Sequence, residues 1–246
     1  MSYDGGGNLA PGSGALTYAT LTDEARRQAA LPRPKARGRR EADVRTVPWW
    51  RVRTLRGISG LSVLVPAVIY AVVVLAIYAL TGVPQALALL VFAAGLALFG
   101  AYRLSSGGAV TARALARAAG APGPVAKRYA LVYDPPWGGT ALLALFPADG
   151  GDQVHPEAVL ELRPLPLPQP WFPGMRALPA DLPVEPAGRL ELRGRTEEAP
   201  LGVPWIDGHA YWPKRFFGPG DLRGAEGRAL AERLLADAGD GEAVES

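Results

Sequence analysis

The sequence predicts a two-helix transmembrane hairpin plus a small mainly-β cytoplasmic domain with a C-terminal helix, preceded by a disordered N-terminal tail. Three observations support this. Residues 57–102 form 46 consecutive positions without a charged side chain, basic residues flank that stretch on both sides, and the chain after residue 125 consists of short runs separated by glycine and proline. The predicted units are a disordered basic cytoplasmic tail, the hairpin, a juxtamembrane basic helix with its linker, an all-β domain with a terminal helix, and a second disordered tail. Their respective bounds are 1–56, 57–103, 104–124, 125–238 and 239–246.

The uncharged stretch is long enough to cross a bilayer twice. The first predicted span, 57–80, would be about 36 Å long as a helix, against a hydrocarbon core of about 30 Å. Gly82 and Pro84 favour a turn, and 85–102 supplies a second, shorter span. Because lipid offers backbone groups no hydrogen-bond partners, each span is expected to be helical. Neither span contains Asp, Glu, Lys, Arg or His, which argues against a transporter or pump core.

The distribution of charge predicts the orientation of the hairpin. Residues 1–56 carry 11 basic and 5 acidic side chains, 103–133 carry 5 basic and no acidic ones, and 134–246 carry 10 basic and 18 acidic ones. Because Lys and Arg accumulate on the cytoplasmic side of membrane helices, both termini are predicted to lie in the cytoplasm, beneath the cell (inner) membrane. The predicted membrane-interface residues are Trp49, Trp50, Arg51, Arg53, Arg56 and Arg103.

Two features suggest contacts along the membrane. Ala93, Ala97 and Ala101 form a stripe of small residues that would let another helix approach closely, and the alternative is simply an alanine-rich composition. The basic run 33–40 is expected to contact anionic lipid headgroups, because it lies next to the membrane; nucleic acid is the less favoured partner. A homo-oligomer is left open.

One island in the N-terminal tail has helical character. Thr20 and Asp23 resemble a capping box, and they predict a short helix over 21–31. A helix of this length is marginal in water without a partner. It is therefore interpreted either as a docking peptide or as a transient helix in a tether.

The residue pattern after position 125 is typical of a β domain. Its short apolar runs with frequent turn signals predict a small barrel or a sandwich. The proline-rich segment 164–186 is predicted to be a surface loop. Asp221 is the predicted N-cap of a terminal helix with Leu230, Leu234 and Leu235 on or near one face.

The sequence offers little catalytic chemistry. Cysteine is absent from the chain, and residues 107–245 contain neither Ser nor Asn, so a Ser-His-Asp triad is excluded there. Asp207 with His209, and His155 with Glu157, are the combinations that resemble metal ligands, and both sit beside turns. They are interpreted as turn residues. No catalytic residue, cofactor or metal site is predicted.

An aromatic cluster near the end of the β domain is the more informative feature. Lys214 and Arg215 lie within it, and such mixtures are typical of interface hot spots. Packing in the core is the alternative interpretation. The possible partner-binding residues are Trp205, Tyr211, Trp212, Phe216 and Phe217.

This layout, two spans followed by a cytoplasmic C-terminal domain in an arginine-rich chain, resembles the SepX family of actinobacterial septation proteins. The resemblance is one of architecture across the whole chain, and no site residue is carried over. It implies a non-enzymatic adaptor that stabilises the cell-division machinery, with membrane proteins and cytoplasmic division or envelope proteins as partners. An accessory subunit of a transport or secretion complex is the alternative, and a membrane-bound enzyme is the third hypothesis.

Overall fold

Six helices and one seven-stranded sheet are present in the part of the chain that the structure, a computed structural model, describes. The helices are α1 (Tyr18–Ala29), α2 (Arg53–Ser59), α3 (Leu61–Thr81), α4 (Gln85–Arg103), α5 (Ala109–Ala119) and α6 (Pro219–Arg223). The strands are β1 (Val125–Asp134), β2 (Thr140–Pro147), β3 (Ala158–Leu162), β4 (Ala187–Arg193), β5 (Val203–Ile206), β6 (His209–Ala210) and β7 (Pro213–Phe217). The described residues are 16–30, 41–83, 85–134, 140–163, 185–194, 202–225, 227 and 229–230.

Helices α3 and α4 pack side by side, and both are apolar and long enough to cross a membrane. They contain 21 and 19 residues, which correspond to about 32 and 29 Å of helix. In α3, and in the helical run Ala88–Ala119 that contains most of α4, only 11% of the most apolar 18-residue window is buried within the chain. Val91 and Leu98 are 75% and 71% exposed. The pair therefore presents its apolar side chains to the surroundings.

The two long helices have bends at the same end of the pair, where α3 begins and α4 ends. The predicted first span began at residue 57, but Gly60 adopts a φ of 84° and separates α2 from α3. On the neighbouring helix, a π-helical turn at Leu104–Gly108 leads into α5, and Gly107 there has a φ of 92°. A Cβ on Gly60 would lie 2.7 Å from the carbonyl oxygen of Gly100, so this position requires glycine for its backbone conformation and for the close approach.

The seven strands form one antiparallel sheet in the order β6-β5-β4-β1-β2-β3-β7. Two residues, Tyr211 and Trp212, connect β6 at one edge to β7 at the other. A flat seven-stranded sheet would place these edges about 29 Å apart, whereas the connection spans at most about 11 Å. The sheet must therefore curl until its edges meet.

The curl encloses the main apolar core. Among the described residues, that core consists of strand residues and of Tyr211 from the connection between β6 and β7, so the sheet covers its own inner face. The fully buried Tyr129, Leu143 and Leu160 lie in it. The predicted mainly-β domain is thus a single curled antiparallel sheet, and all seven described strands belong to it. Within the described residues β6 and β7 are not paired, so the barrel is open at this seam.

Helix α1 covers the outer face of the sheet. Leu21 and Ala25 are each 1% exposed and pack against residues of β1 and β2. The side-chain amide of Gln28 donates to the carbonyl oxygen of Tyr133 at 3.3 Å and accepts from its N–H at 2.7 Å, as a neighbouring strand would. The helix thus docks on its own β domain.

Two predictions for the N-terminal tail need correction. The helix is capped by Thr17 and Thr20, which form the capping box, and not by Thr20 and Asp23. The tail is also not disordered throughout, because 16–30 and 41–56 are placed against the rest of the chain. Each segment buries one apolar face against residues that are distant in the sequence. Local composition therefore does not reveal the contact.

The predicted N-cap of the terminal helix was also wrong. Gly218 occupies the N-cap of α6, and Asp221 is the third helical residue, whose carboxylate accepts a hydrogen bond of 2.9 Å from the Gly218 N–H. Leu230 is buried on the outer face of the sheet. Leu234 and Leu235, and most of the proline-rich segment 164–186, lie outside the described residues.

Candidate interaction site at the junction of hairpin and sheet

A buried apolar cluster joins the helices at the end of the hairpin to the β domain. Helix α2 contributes Leu55, helix α5 contributes Leu115, and the sheet contributes Val203, all at most 1% exposed. Since α2 continues into α3 and α4 leads into α5, this cluster connects the apolar pair to the sheet without an intervening linker. Its buried members are Val52, Leu55, Ile58, Ala112, Leu115, Ala119, Val203, Trp205 and Trp212.

Two glycines allow the backbones in this junction to approach closely. A Cβ on Gly108 would lie 2.7 Å from the carbonyl oxygen of Ile58, where α2 meets the start of α5. Gly194 follows β4 with a φ of 75°, and a Cβ there would lie 2.4 Å from the Cα of Ala118 in α5. Neither contact leaves room for a side chain. We refer to this contact region as the junction.

Glu41 links three parts of the junction through its carboxylate. One oxygen accepts a hydrogen bond of 2.6 Å from the backbone N–H of Thr54, in the first turn of α2. The other accepts a bond of 2.9 Å from the indole N–H of Trp212. The negative charge therefore caps a helix N-terminus and holds the connection between the sheet edges.

Sequence reasoning did not identify Glu41 as a site residue. One signal was available, because Glu41 and Asp43 are the only acidic residues between Glu24 and Asp134. An isolated acidic pair in a strongly basic stretch indicates that each carboxylate has a specific role. That signal does not say which backbone groups the carboxylate binds.

A cavity of about 310 Å³ opens beside Glu41, between the segment 41–44 and the β5–β6 hairpin. Asp43 on its rim accepts hydrogen bonds from the guanidinium of Arg45, and these bonds lower the pKa of the Asp43 carboxyl group. The Arg45 guanidinium lies 4.2 Å from the ring centroid of Trp205. The residues lining the cavity are Glu41, Ala42, Asp43, Val44, Trp205, Gly208, His209, Ala210 and Trp212.

The carboxylates of Glu41 and Asp43 line this cavity. Asp43 is ionised and held by Arg45, and Glu41 is held by two N–H donors, so both carboxylates already have partners. A general base needs a pKa close to the working pH, and the pKa of Asp43 is shifted in the opposite direction.

The five predicted partner-binding aromatics do not form one surface. Trp205 and Trp212 pack in the junction and are 5% and 4% exposed. Tyr211 and Phe216 contact the inner core of the sheet. Phe217 lies on the outer face in the cluster that α1 covers. Their burial favours the alternative of core packing.

The predicted interface residues lie at the end of the hairpin where the bends occur. Trp49 and Trp50 contact each other edge-on, with ring centroids 5.8 Å apart, and the guanidinium of Arg113 lies 5.8 Å from the ring of Trp49. Trp50 is 49% exposed. The remaining members, Arg51, Arg53, Arg56 and Arg103, are all exposed.

The alanine stripe coincides only partly with the face of α4 that meets α3. Ala93 is fully buried, Ala97 is half-buried and Ala101 is exposed. The two helices approach closely at Gly100, where a Cβ would lie 2.8 Å from the backbone nitrogen of Leu64. The packing face therefore runs through Gly100, which the spacing of alanines did not reveal.

The residues that resemble metal ligands have ordinary structural roles. Asp207 and Gly208, with φ values of 52° and 76°, form the two-residue turn between β5 and β6. The Nδ1 atom of His155 lies 2.9 Å from the carbonyl oxygen of Leu16, and Glu157 pairs with Lys127 at 2.7 Å. Among the described residues, no group of three His, Asp or Glu side chains lies close enough to hold a metal ion.

Comparison of the chain with protein-family models, curated proteins and solved structures found no significant match.

Proposed function

We propose that this protein is a non-enzymatic adaptor of an actinobacterial cell membrane, which stabilises a cell-division complex at the septum. Helices α3 and α4 would anchor it, because in water their exposed apolar side chains would be strongly unfavourable. Lipid offers the surroundings that suit such a surface. We infer the cellular process, septation, from the architectural resemblance to septation proteins.

The buried junction is the observation that carries the proposal. A flexible tether would let the β domain move freely below the membrane. The junction instead binds it directly to the base of the hairpin, which is the end where α3 begins and α4 ends. Partners that dock on the β domain or on α1 would then be held at a fixed distance from the membrane and in a fixed orientation. Positioning of this kind is what a scaffold contributes to a complex.

The geometry also supports the placement of the segment 41–59 and helix α5 on the same side of the membrane. The segment 41–59 and helix α5 emerge at the same end of the hairpin and pack together. Basic residues accumulate at this end, so we assign it to the cytoplasm. The partners are then cytoplasmic or membrane-bound division or envelope proteins.

A fluorescent fusion to the full chain tests the septal role. We expect the fusion to concentrate at division sites and a deletion strain to form irregular septa. As a control, the same fluorescent protein on an unrelated two-span anchor should spread evenly. Even distribution of the full-chain fusion, together with normal septation in the deletion strain, would contradict the proposal.

Crosslinking in living cells followed by mass spectrometry identifies the class of partner. Division proteins should dominate the crosslinks made by the β domain and by α1. If a polytopic subunit of a transport or secretion complex dominated instead, the alternative of an accessory subunit would replace the septal role.

A further inference from the structure

Exposed arginines lie at the base of the hairpin. From residue 46 to residue 133 the chain contains no acidic side chain, and the exposed arginines of this region lie on the elements that flank the bends of the hairpin. We call them the arginine layer. Its members are Arg51, Arg53, Arg56, Arg103, Arg113 and Arg117.

Five members of this layer find no counter-ion within the described chain. None of the described carboxylates forms an ion pair with Arg51, Arg56, Arg103, Arg113 or Arg117. By contrast, Lys127, Lys214 and Arg193 on the β domain are each paired with a glutamate. Among the described residues, these five arginines therefore differ from the three paired basic residues of the sheet.

Exposed apolar groups lie on the same elements as the arginines. Trp50 is 49% exposed beside Arg51, Val110 is 64% exposed at the start of α5, and Tyr102 is 68% exposed beside Arg103. Aromatic and apolar side chains interleaved with arginine are typical of the boundary between hydrocarbon and headgroups. A nucleic acid would leave this apolar part without a partner.

Arg163 of the β domain lies beside the junction, where its backbone N–H donates to the carbonyl oxygen of Trp212 at 2.8 Å. Arg163 follows β3, and its Nε donates to the carbonyl oxygen of Pro213 at 3.3 Å. Burial, and then the nearby charge of Arg103, lower the pKa of Arg163. Arg163 therefore joins the end of β3 to the connection between the two sheet edges.

We propose that the arginine layer binds the anionic phospholipid headgroups of the inner leaflet and so holds the base of the hairpin, with the β domain packed on it, against the membrane. The inference rests on the membrane anchoring in the proposed function. Each basic side chain near such a surface strengthens binding by about fivefold. Several acting together would select anionic over zwitterionic lipid.

Lipid retention by the purified full-length protein, measured by native mass spectrometry, tests this selectivity. The probes are phosphatidylglycerol and phosphatidylcholine with identical acyl chains. The natural chain should retain phosphatidylglycerol at least about tenfold more strongly. The double variant Arg56→Gln, Arg117→Gln should lose most of this preference, while the control Arg189→Gln, Arg223→Gln, which removes two exposed arginines of the β domain and α6, should keep it.

Equal retention of both lipids, or an equal loss in the control variant, would overturn the inference. Displacement of phosphatidylglycerol by millimolar inorganic phosphate would show a site for free anions and would overturn the assignment to lipid. Extraction of cell membranes at alkaline pH separates this result from anchoring. A chain that stays in the membrane without lipid preference contradicts only the present inference, whereas a chain that is extracted contradicts the proposed function.

Discussion

Replacing Gly194 by alanine should strongly destabilise the protein, because it separates the sheet from α5. The new Cβ would lie 2.4 Å from the Cα of Ala118 and 2.5 Å from its Cβ, and backbone atoms cannot move aside as a flexible side chain would. The left-handed φ of 75° adds a cost of about 1–2 kcal/mol for any residue other than glycine. We expect a total loss of about 3 kcal/mol or more in the free energy of unfolding.

Gly123→Ala provides the matched control for this variant. Gly123 has a similar φ of 71°, but no atom lies within 4 Å of the position that its new Cβ would take. It should therefore show the conformational cost alone, about 1–2 kcal/mol. Denaturant unfolding of both variants in detergent micelles measures the difference. Equal losses at the two positions would show that the contact between Gly194 and Ala118 does not hold the junction.

Replacing Gly100 by leucine should separate α3 from α4. A Cβ on Gly100 would lie within 2.9 Å of the backbone nitrogen, Cα and Cβ of Leu64, so a leucine cannot be placed without moving one helix. Overpacking of this kind typically costs about 1–3 kcal/mol, and more where backbone must shift. Gly95→Leu is the control, since it adds the same side chain to the same helix where nothing lies within 4 Å.

A designed disulfide reports on this helix contact. The chain has no cysteine, so Ala71→Cys and Ala93→Cys introduce a single pair. Each position lies two turns from the contact between Leu64 and Gly100, which places the two opposite each other in an antiparallel pair. Disulfide formation in vesicles should become about tenfold slower with Gly100→Leu and stay unchanged with Gly95→Leu. Equal rates in the two variants would show that the helices do not pack through Gly100.

The elements that depend on local signals could be predicted from the sequence. The two apolar helices follow from length and absence of charge, and the strands from short apolar runs between turn residues. The break at Gly60 could not be predicted in this way, because it depends on how closely α4 approaches. The curl of the sheet depends likewise on the short connection between β6 and β7.

The candidate site was harder to predict than the fold. The aromatic residues are clustered in the sequence, yet in the curled sheet they lie in three different apolar clusters. Glu41 has no motif, and its role becomes visible only when Thr54 and Trp212 come together in space. Residues that join distant segments carry little local signature, which is why sequence reasoning missed this junction.

Labelling of single cysteines in intact cells tests the central claim, that α3 and α4 cross the membrane and hold the β domain in the cytoplasm. The absence of natural cysteine allows Val83→Cys, beside the turn between the helices, and Gln153→Cys, in the exposed loop between β2 and β3, to be compared directly. A membrane-impermeant maleimide should label Val83→Cys in intact cells and Gln153→Cys only after the membrane is opened. Labelling of Gln153→Cys in intact cells, or protection of Val83→Cys there, would contradict the account.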